Sequence, residues 1–205
     1  MITKVNELVI KGKAKLITGA VQEAVDAGFA PEELLNAMIS AMDVVGENFK
    51  NGNIFVPEML IAAKAMKKGV EVLKPLLATG AAGALGKVVI GTVAGDLHDI
   101  GKNLVAMMIE SAGFEVVDLG VDVPAEKFVE AAAEDGVVIV ACSALLTTTM
   151  PALEATVAAL KATGKSYKIM VGGAPINQEF CDKVGADAYT PDAATAAKKA
   201  KELVG

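Results

Sequence analysis

Beyond Lys87, short apolar runs alternate with helical stretches five times, and this pattern constrains the fold more than any other feature of the sequence. The apolar runs are rich in β-branched residues, and strands are expected at 88–93, 115–119, 137–141, 168–171 and 186–189. Helices are expected between and after them, at 100–111, 125–134, 151–163, 177–183 and 193–203. The repeated strand–helix unit predicts an α/β fold with a parallel sheet covered by helices on both faces.

Doubly wound sheets of this kind, as in flavodoxin-like (Rossmann-type) folds, bind ligands beyond the C-terminal ends of their strands, where the strand order reverses. Binding residues are therefore expected in the loops after the first, third and fourth predicted strands. The composition agrees with a buried sheet, because the chain is 53% hydrophobic but only 4% aromatic. Aliphatic side chains must then fill most of the core.

The N-terminal part of the chain follows a helical pattern instead, with apolar residues at three- and four-residue spacing. Breaks are expected at 26–29 and 51–53, new helices begin near Pro31 and Pro57, and the first long segment contains a further break. A bundle of about four helices is predicted. The expected domain limits are 1–78 for this helical cap, 79–87 for a linker of small uncharged residues, and 88–205 for the α/β domain.

Charge and cysteine content exclude several classes of function. A formal net charge of −6 argues against a nucleic-acid partner. Cys142 and Cys181 lie far apart, so neither a disulfide framework nor a thiolate zinc site is expected. No apolar run reaches the ~20 residues needed to span a bilayer, and the N-terminus lacks the layout of a signal peptide. A cytoplasmic location is therefore expected.

The loop after the first strand contains His98, the only histidine of the chain, between Asp96 and Asp99. One interpretation is a loop histidine bonded to a carboxylate. The other is a metal ligand whose second nitrogen is held by Asp96, with Gly95 and Gly101 leaving space for a bulky ligand. No second histidine or thiolate pair accompanies it, so a zinc site made by protein side chains alone is excluded. One imidazole is enough where a macrocycle supplies the other ligands.

Hydroxyl residues dominate the loop after the third strand, where Ser143, Thr147, Thr148 and Thr149 occur within seven positions. They fit an N-cap for the helix near Pro151, or a wall of hydrogen-bond partners for a polar ligand tail. The paired glycines after the fourth strand fit either a plain turn or a channel that admits a ligand. Cys142 is expected in the core, and no P-loop or dinucleotide fingerprint is present.

Taken in order, Asp96-x-His98-x-x-Gly101, Ser143-x-Leu145 and Gly172-Gly173 resemble the signature of the cobalamin-binding domains of methionine synthase and the corrinoid methyltransferase proteins. Those proteins also carry a four-helix cap, so the resemblance covers nearly the whole chain. It implies a cobalamin bound base-off, with His98 as the lower axial ligand to cobalt and Asp96 hydrogen-bonded to His98. Thr149 stands where a serine completes this relay in methionine synthase, and it keeps the hydroxyl.

The same resemblance assigns further contacts. Ser143 and Thr147 match positions that bond the nucleotide tail of the cofactor, and Phe55 matches an aromatic residue over the upper corrin face, with bundle core as its alternative. The full set of expected cofactor contacts is Gly95, Asp96, Leu97, His98, Asp99, Ile100, Gly101, Ser143, Leu145, Thr147, Thr149, Gly172, Gly173, Asp192, Ala193 and Phe55.

The function implied is a methyl carrier that is not catalytic alone, with cobalt cycling between Co(I) and methyl-Co(III). The expected partners are a substrate-specific methyltransferase, an acceptor methyltransferase using tetrahydrofolate or a thiol, and a reductive activase. Methanol, methylamines, glycine betaine and methoxylated aromatics remain open as donors. The alternatives are the cobalamin-binding subunit of a radical isomerase, which would lack the helical cap, a cobalamin-based sensor, and a flavodoxin-like module without cofactor.

Overall fold

The computed structural model describes residues 1–77 and 85–205. The chain divides into two compact units, one containing the N-terminal helices and the other made of Leu85–Glu110 and Phe114–Gly205. Most of the predicted linker, residues 79–84, lies outside the described residues. Within the described part of the chain, no helix is long and apolar enough to cross a membrane.

Helices make up the N-terminal unit, as the periodicity predicts. Their bounds are α1 Ile2–Ile10, α2 Ile17–Asp26, α3 Pro31–Lys50 and α4 Val56–Leu77. The expected break in the first long segment falls between α1 and α2. Apolar side chains spaced at three and four residues, such as Leu34 and Met38 on α3, are buried. An added Cβ at Gly69 would overlap the Met38 sulfur, so α3 and α4 approach each other closely at this glycine.

The second unit alternates strands and helices. Its strands are β1 Lys87–Thr92, β2 Glu115–Asp118, β3 Val137–Ser143, β4 Lys168–Gly172 and β5 Ala188–Tyr189. Its helices are α5 Ile100–Ser111, α6 Ala125–Ala132, α7 Met150–Ala162, α8 Gln178–Val184 and α9 Ala193–Val204. All strand pairs are parallel, in the order β2-β1-β3-β4-β5. The predicted fold class is confirmed, and the strand order reverses between β1 and β3.

Burial follows from this architecture. Five consecutive residues of β1, from Val88 to Thr92, are buried, as expected for a strand with helices on both faces of the sheet. Near the end of β1, an added Cβ at Gly91 would lie 2.8 Å from the ring of Phe128 on α6. Glycine at this position therefore lets the helix approach the strand.

Two element boundaries differ from the sequence expectations in ways that affect the site. β3 continues to Ser143, because its end pairs with both neighbouring strands, Thr92 opposite Ser143 and Ser143 opposite Gly172. A short 3-10 turn over Thr147–Thr149 then precedes α7. Ser143 is thus the last residue of a strand, whereas it was expected in the following loop.

Candidate functional site

The predicted site residues of the α/β unit that follow β1, β3 and β4 lie at one edge of the sheet. These three strands are neighbours and run in parallel, so their C-terminal ends meet at that edge. The first loop passes from Val93 to Asp99, and the second from Ala144 to the start of α7. One buried side chain, Asp96, joins these two loops.

Asp96 is fully buried and each of its carboxylate oxygens serves a different loop. Oδ1 accepts hydrogen bonds from the His98 main-chain N at 3.1 Å and is 2.7 Å from His98 Nδ1. Oδ2 accepts from the Leu145 N at 2.7 Å, from the Thr149 hydroxyl at 2.7 Å and from the Leu146 N at 3.4 Å. The carboxylate therefore ties the end of β1 to the end of β3.

These donors also decide the charge of Asp96. Burial raises the pKa of the carboxyl, but hydrogen bonds from the Leu145 N, the Thr149 hydroxyl and His98 outweigh burial and hold the pKa well below its usual range. The side chain is then ionised at neutral pH and can only accept hydrogen bonds. His98 Nδ1 must carry the proton that it shares with Asp96, so a neutral ring presents its lone pair at Nε2.

His98 is held at its main chain as well as at its ring. The Thr92 hydroxyl, fully buried at the end of β1, donates to the His98 carbonyl oxygen at 2.9 Å. The His98 side chain itself is 50% exposed. The ring is therefore fixed at Nδ1 by a buried partner, while part of it remains accessible to a ligand.

Thr149 occupies the N-cap position of α7, but its side chain makes no capping hydrogen bond. Its hydroxyl reaches Asp96 Oδ2, with the Leu146 carbonyl oxygen as a second acceptor at 2.9 Å. The capping interpretation is therefore correct for the position of Thr149 and wrong for its hydroxyl.

Large apolar side chains are exposed in the same two loops and at the start of α5. Leu97 is 72% and Ile100 is 80% exposed beside His98 in sequence, and Leu145 and Leu146 are 42% and 40% exposed. An added Cβ at Gly101 would meet nothing within 4 Å. Exposed apolar clusters of this kind are typical of binding surfaces, and this one suits a ligand with a broad apolar face.

The structure has room for a side chain at Gly172 but not at Gly173. Gly173 has φ +130°, and an added Cβ would overlap the carbonyl oxygen of Ala144. A Cβ at Gly172 would make only an ordinary contact, 3.6 Å from the Thr190 carbonyl oxygen. Close packing of the loops after β3 and β4 thus accounts for glycine at 173, beside any role in binding.

Other predicted residues lie as follows. Thr147 is exposed in the 3-10 turn, and Asp99 accepts a hydrogen bond from Asn103 Nδ2 at 3.0 Å. Asp192 caps α9, because its two oxygens accept from the main chain and the hydroxyl of Thr195, each at 2.8 Å. Ala193 is buried.

Phe55 belongs to the other unit, where it lies just before α4. It is 68% exposed, so the bundle-core alternative for this residue is wrong. Its role over a corrin face stays a prediction.

Sequence reasoning missed three residues around the histidine loop. Thr92 and Asp122, the latter in the loop after β2, bond to the loop itself. Lys102 lies on α5, the helix that follows the loop, and bonds to Asp118. Their positions in the sequence could have indicated two of them, because Asp122 follows a strand of the same parallel sheet and Thr92 is the last residue of β1. The strand order does not reverse at the end of β2, so the sequence predicts no binding residues in the loop that follows it.

The donors suit a metal that brings most of its own ligands. In the described part of the chain, no group of three or more His, Cys, Asp or Glu side chains is placed to hold a metal ion. The loop offers one oriented imidazole, with an apolar surface beside it in sequence. Such a site fits a metal at the centre of a macrocycle, for which a single axial protein ligand is enough.

Comparison with known proteins agrees with this fit. The sequence matches two family models described as a B12 binding domain, over residues 86–199 and 1–74. Dimethylamine corrinoid protein 3 of Methanosarcina acetivorans is 44% identical over 207 residues, covering 100% of this chain and 97% of that protein. Trimethylamine corrinoid protein 1 of the same organism is 43% identical, again with 100% and 97% covered.

Solved structures give the same picture. A cobalamin-binding protein from Desulfitobacterium hafniense DCB-2 superposes with a TM-score of 0.84 at 34% identity, covering 100% of this chain and 99% of that one. A chain of the methanol:cobalamin methyltransferase complex from Methanosarcina barkeri gives a TM-score of 0.86 at 33% identity, covering 99% and 79%.

Proposed function

The chain belongs to the family of corrinoid proteins with B12-binding domains, and from this membership we propose that it carries a methyl group between two partner enzymes. One partner is a substrate-specific methyltransferase that loads the methyl group, and the other passes it to tetrahydrofolate or a thiol. A reductive activase restores the carrier after oxidation. The N-terminal helices match a B12-binding model of their own, whereas the radical isomerase alternative would lack such a cap.

His98 is proposed as the lower axial ligand of the bound corrinoid. The observation that carries this proposal is the fixed ring: Nδ1 lies 2.7 Å from the buried Asp96 carboxylate, and the side chain is half exposed. When bound, the cobalt of the corrinoid accepts and donates the methyl group. Leu97 and Ile100, both strongly exposed, supply an apolar surface for the macrocycle.

Asp96 and Thr149 are proposed to stabilise the proton that His98 takes up when its ring leaves the cobalt. An imidazole released from cobalt would take up a proton from solvent at Nε2, and the ionised Asp96 carboxylate would stabilise the positive ring through Nδ1. The Thr149 hydroxyl supports this charge, because it donates to the other carboxylate oxygen at 2.7 Å. The three side chains thus let the ring alternate between a neutral ligand and a protonated free state.

Methylated amines are proposed as the methyl donors. The relatives that share 41–44% of their residues with nearly the whole chain include several dimethylamine corrinoid proteins, whereas the methanol complex chain shares 33%. The relevant test supplies the carrier, loaded with cobalamin, to a dimethylamine methyltransferase and to a methanol methyltransferase in turn. Methylation by the first enzyme at ten or more times the rate of the second is expected. Equal rates, or a preference for methanol, would contradict this assignment.

Histidine ligation can be tested directly because the chain has a single histidine. The protein is produced with ¹⁵N-labelled histidine, loaded with unlabelled cobalamin and reduced to Co(II) for electron paramagnetic resonance. A nitrogen splitting of two lines is expected, since ¹⁵N has spin one half. Three lines would mean that the cofactor's own ¹⁴N base still occupies the axial position, and the proposal would fail. His98→Ala is the matched control, in which the two-line pattern disappears.

A further inference from the structure

The loop between β2 and α6 carries none of the predicted site residues, yet it contacts the histidine loop through Asp122. The Asp122 carboxylate Oδ1 accepts a hydrogen bond from the Gly95 N at 2.7 Å. The Asp122 N donates to the Asp96 carbonyl oxygen at 2.9 Å. One residue therefore holds the main chain on both sides of the Gly95–Asp96 peptide bond, immediately before His98.

The backbone of Asp122 has a conformation that is unusual for a residue with a side chain. Its φ is +54°, and among the described residues it is the only one other than glycine with a positive φ. This left-handed conformation is unfavourable for most residues and is tolerated best by Gly, Asn and Asp. Two positions earlier in the same loop, a residue with φ +84° is a glycine, Gly120. At 122 the chain keeps a carboxylate instead, and that carboxylate has a partner in the histidine loop.

The same segment also contacts α5, the helix that follows the histidine loop. Lys102, on the first turn of α5, has a side chain that is only 1% exposed, and its Nζ lies 2.7 Å from Asp118 Oδ1 at the end of β2. The Gly120 N donates to the same carboxylate at 2.9 Å. The chain segment from Asp118 to Asp122 therefore contacts the histidine loop before His98 and the first turn of α5 after it.

We propose that Asp122 is a positioning residue for His98, acting through the main chain of Gly95 and Asp96. Asp96 can hold the ring only if its own main chain is fixed, and Asp122 supplies that restraint from the loop after the neighbouring strand β2. The importance of the ring for cobalt rests on the function proposed above. The positioning itself is a property of the protein without cofactor, so the two ideas can fail separately.

The first experiment measures the His98 ring in the cofactor-free protein by long-range ¹H–¹⁵N spectra, in which the single histidine gives an unambiguous signal. Asp122→Gly keeps the backbone conformation and removes the carboxylate, whereas Asp122→Asn keeps both an oxygen acceptor and tolerance of positive φ. The wild type and Asp122→Asn are expected to show one tautomer, with the proton on Nδ1. Asp122→Gly is expected to show ring nitrogen shifts that average between tautomers. A ring in Asp122→Gly identical to that of the wild type would overturn the proposal.

Asp135→Gly is the matched control, since it removes an exposed carboxylate from a loop at the opposite end of the strands. It is expected to leave the ring shifts unchanged. If Asp135→Gly alters the shifts as much as Asp122→Gly does, the effect is general and the proposal fails. Thermal unfolding of each variant establishes that the ring is compared in folded protein.

The second experiment uses the cobalamin-loaded protein with ¹⁵N-labelled histidine. Loss of a partner that orients a metal ligand lowers metal affinity by roughly 10–100-fold, and Asp122 acts one step further away. The ratio of histidine-ligated to unligated Co(II) is expected to fall about tenfold in Asp122→Gly and to recover in Asp122→Asn. An unchanged ratio in Asp122→Gly would overturn the proposal. If the wild type itself shows no histidine ligation, the proposal that His98 binds cobalt fails while the cofactor-free result still stands.

Discussion

Individual side chains at the site depend on one buried carboxylate. Asp96 has donors from two loops, and it is the hydrogen bonds to those donors that keep it ionised against the effect of burial. Hydrogen bonds to a charged group contribute about 1.5–3 kcal/mol each to stability. Removing one donor should therefore affect stability measurably, even before any cofactor binds.

Thr149 offers the cleanest test of this dependence. Thr149→Val keeps the shape of the side chain and removes the hydroxyl that donates to Asp96 at 2.7 Å. We expect the free energy of unfolding, measured by urea denaturation of the cofactor-free protein, to fall by about 1.5–3 kcal/mol. Thr149→Ser keeps the donor and should lose less than half as much. Equal losses in both variants would show that packing, rather than the hydroxyl, is what matters at this position.

The contribution of the Asp96 carboxylate to stability should be lost in acid. The folded-state pKa of Asp96 lies below its unfolded value of about 3.9, so its contribution is fully present above pH ~4 and is lost as pH falls toward the folded pKa. Asp96→Asn removes this titration and leaves the other acids in place. The unfolding free energies of the wild type and the variant, measured in parallel from pH 7 to pH 3, should converge below about pH 4. A constant difference down to pH 3 would contradict the depressed pKa.

The strands β3 and β4 contribute to the site through their C-terminal ends. These ends are closely packed at one glycine, Gly173. β3 and β4 pair to their last residues, with Ser143 opposite Gly172, and the Ala144 N donates to the Gly172 carbonyl oxygen at 3.1 Å. The next residue, Gly173, then passes against the Ala144 carbonyl with φ +130°. The relative position of these two loops is thus determined by main-chain contacts.

Alanine at the two neighbouring glycines should have very different consequences. Gly173→Ala places a Cβ on the Ala144 carbonyl oxygen and demands a positive φ, so the free energy of unfolding is expected to fall by more than about 3 kcal/mol. Gly172→Ala makes only a 3.6 Å contact and is expected to cost less than about 1 kcal/mol. Chemical denaturation of both variants provides the comparison. Similar losses would mean that the packing described for Gly173 does not matter.

The molecule as a whole consists of two units with separate cores. The α/β unit buries large side chains on its strands and helices, among them Phe128, Ile139, Leu153 and Leu160. The helical unit has its own buried set, including Leu34, Met38 and Met66. A unit with its own hydrophobic core is able in principle to fold alone.

Residues 85–205 expressed alone are therefore expected to fold. Thermal unfolding followed by circular dichroism should show one cooperative transition, and the His98 ring should give the same tautomer as in the full chain, because its partners Asp96, Thr92 and Thr149 all belong to this unit. The full-length protein measured in parallel is the control. A fragment without a cooperative transition would contradict the proposed division at 79–87.

Several details of the site were beyond sequence reasoning for a physical reason. Local sequence predicts only a helix cap at Thr149, and its place in a relay with Asp96 came from the family resemblance. The bond itself joins residues 53 positions apart, and the folded structure shows it. Asp122 was not among the predicted site residues, and its bond to the Gly95 N joins positions 27 residues apart. Pairings of this length depend on strand order and register, which residue types do not specify.

The sequence by itself determined the helical and α/β units, the parallel sheet and the three loops in which the site lies. Local periodicity, turn residues and short motifs carry that information, because each acts within a few residues along the chain. The tertiary structure alone decided that Asp96 is buried, ionised and shared between two loops, that Nδ1 of His98 carries the proton, and that Gly173 must lack a side chain. Those outcomes arise where strand ends distant in sequence come within hydrogen-bonding distance, and the charge of a buried carboxylate depends on every donor gathered there.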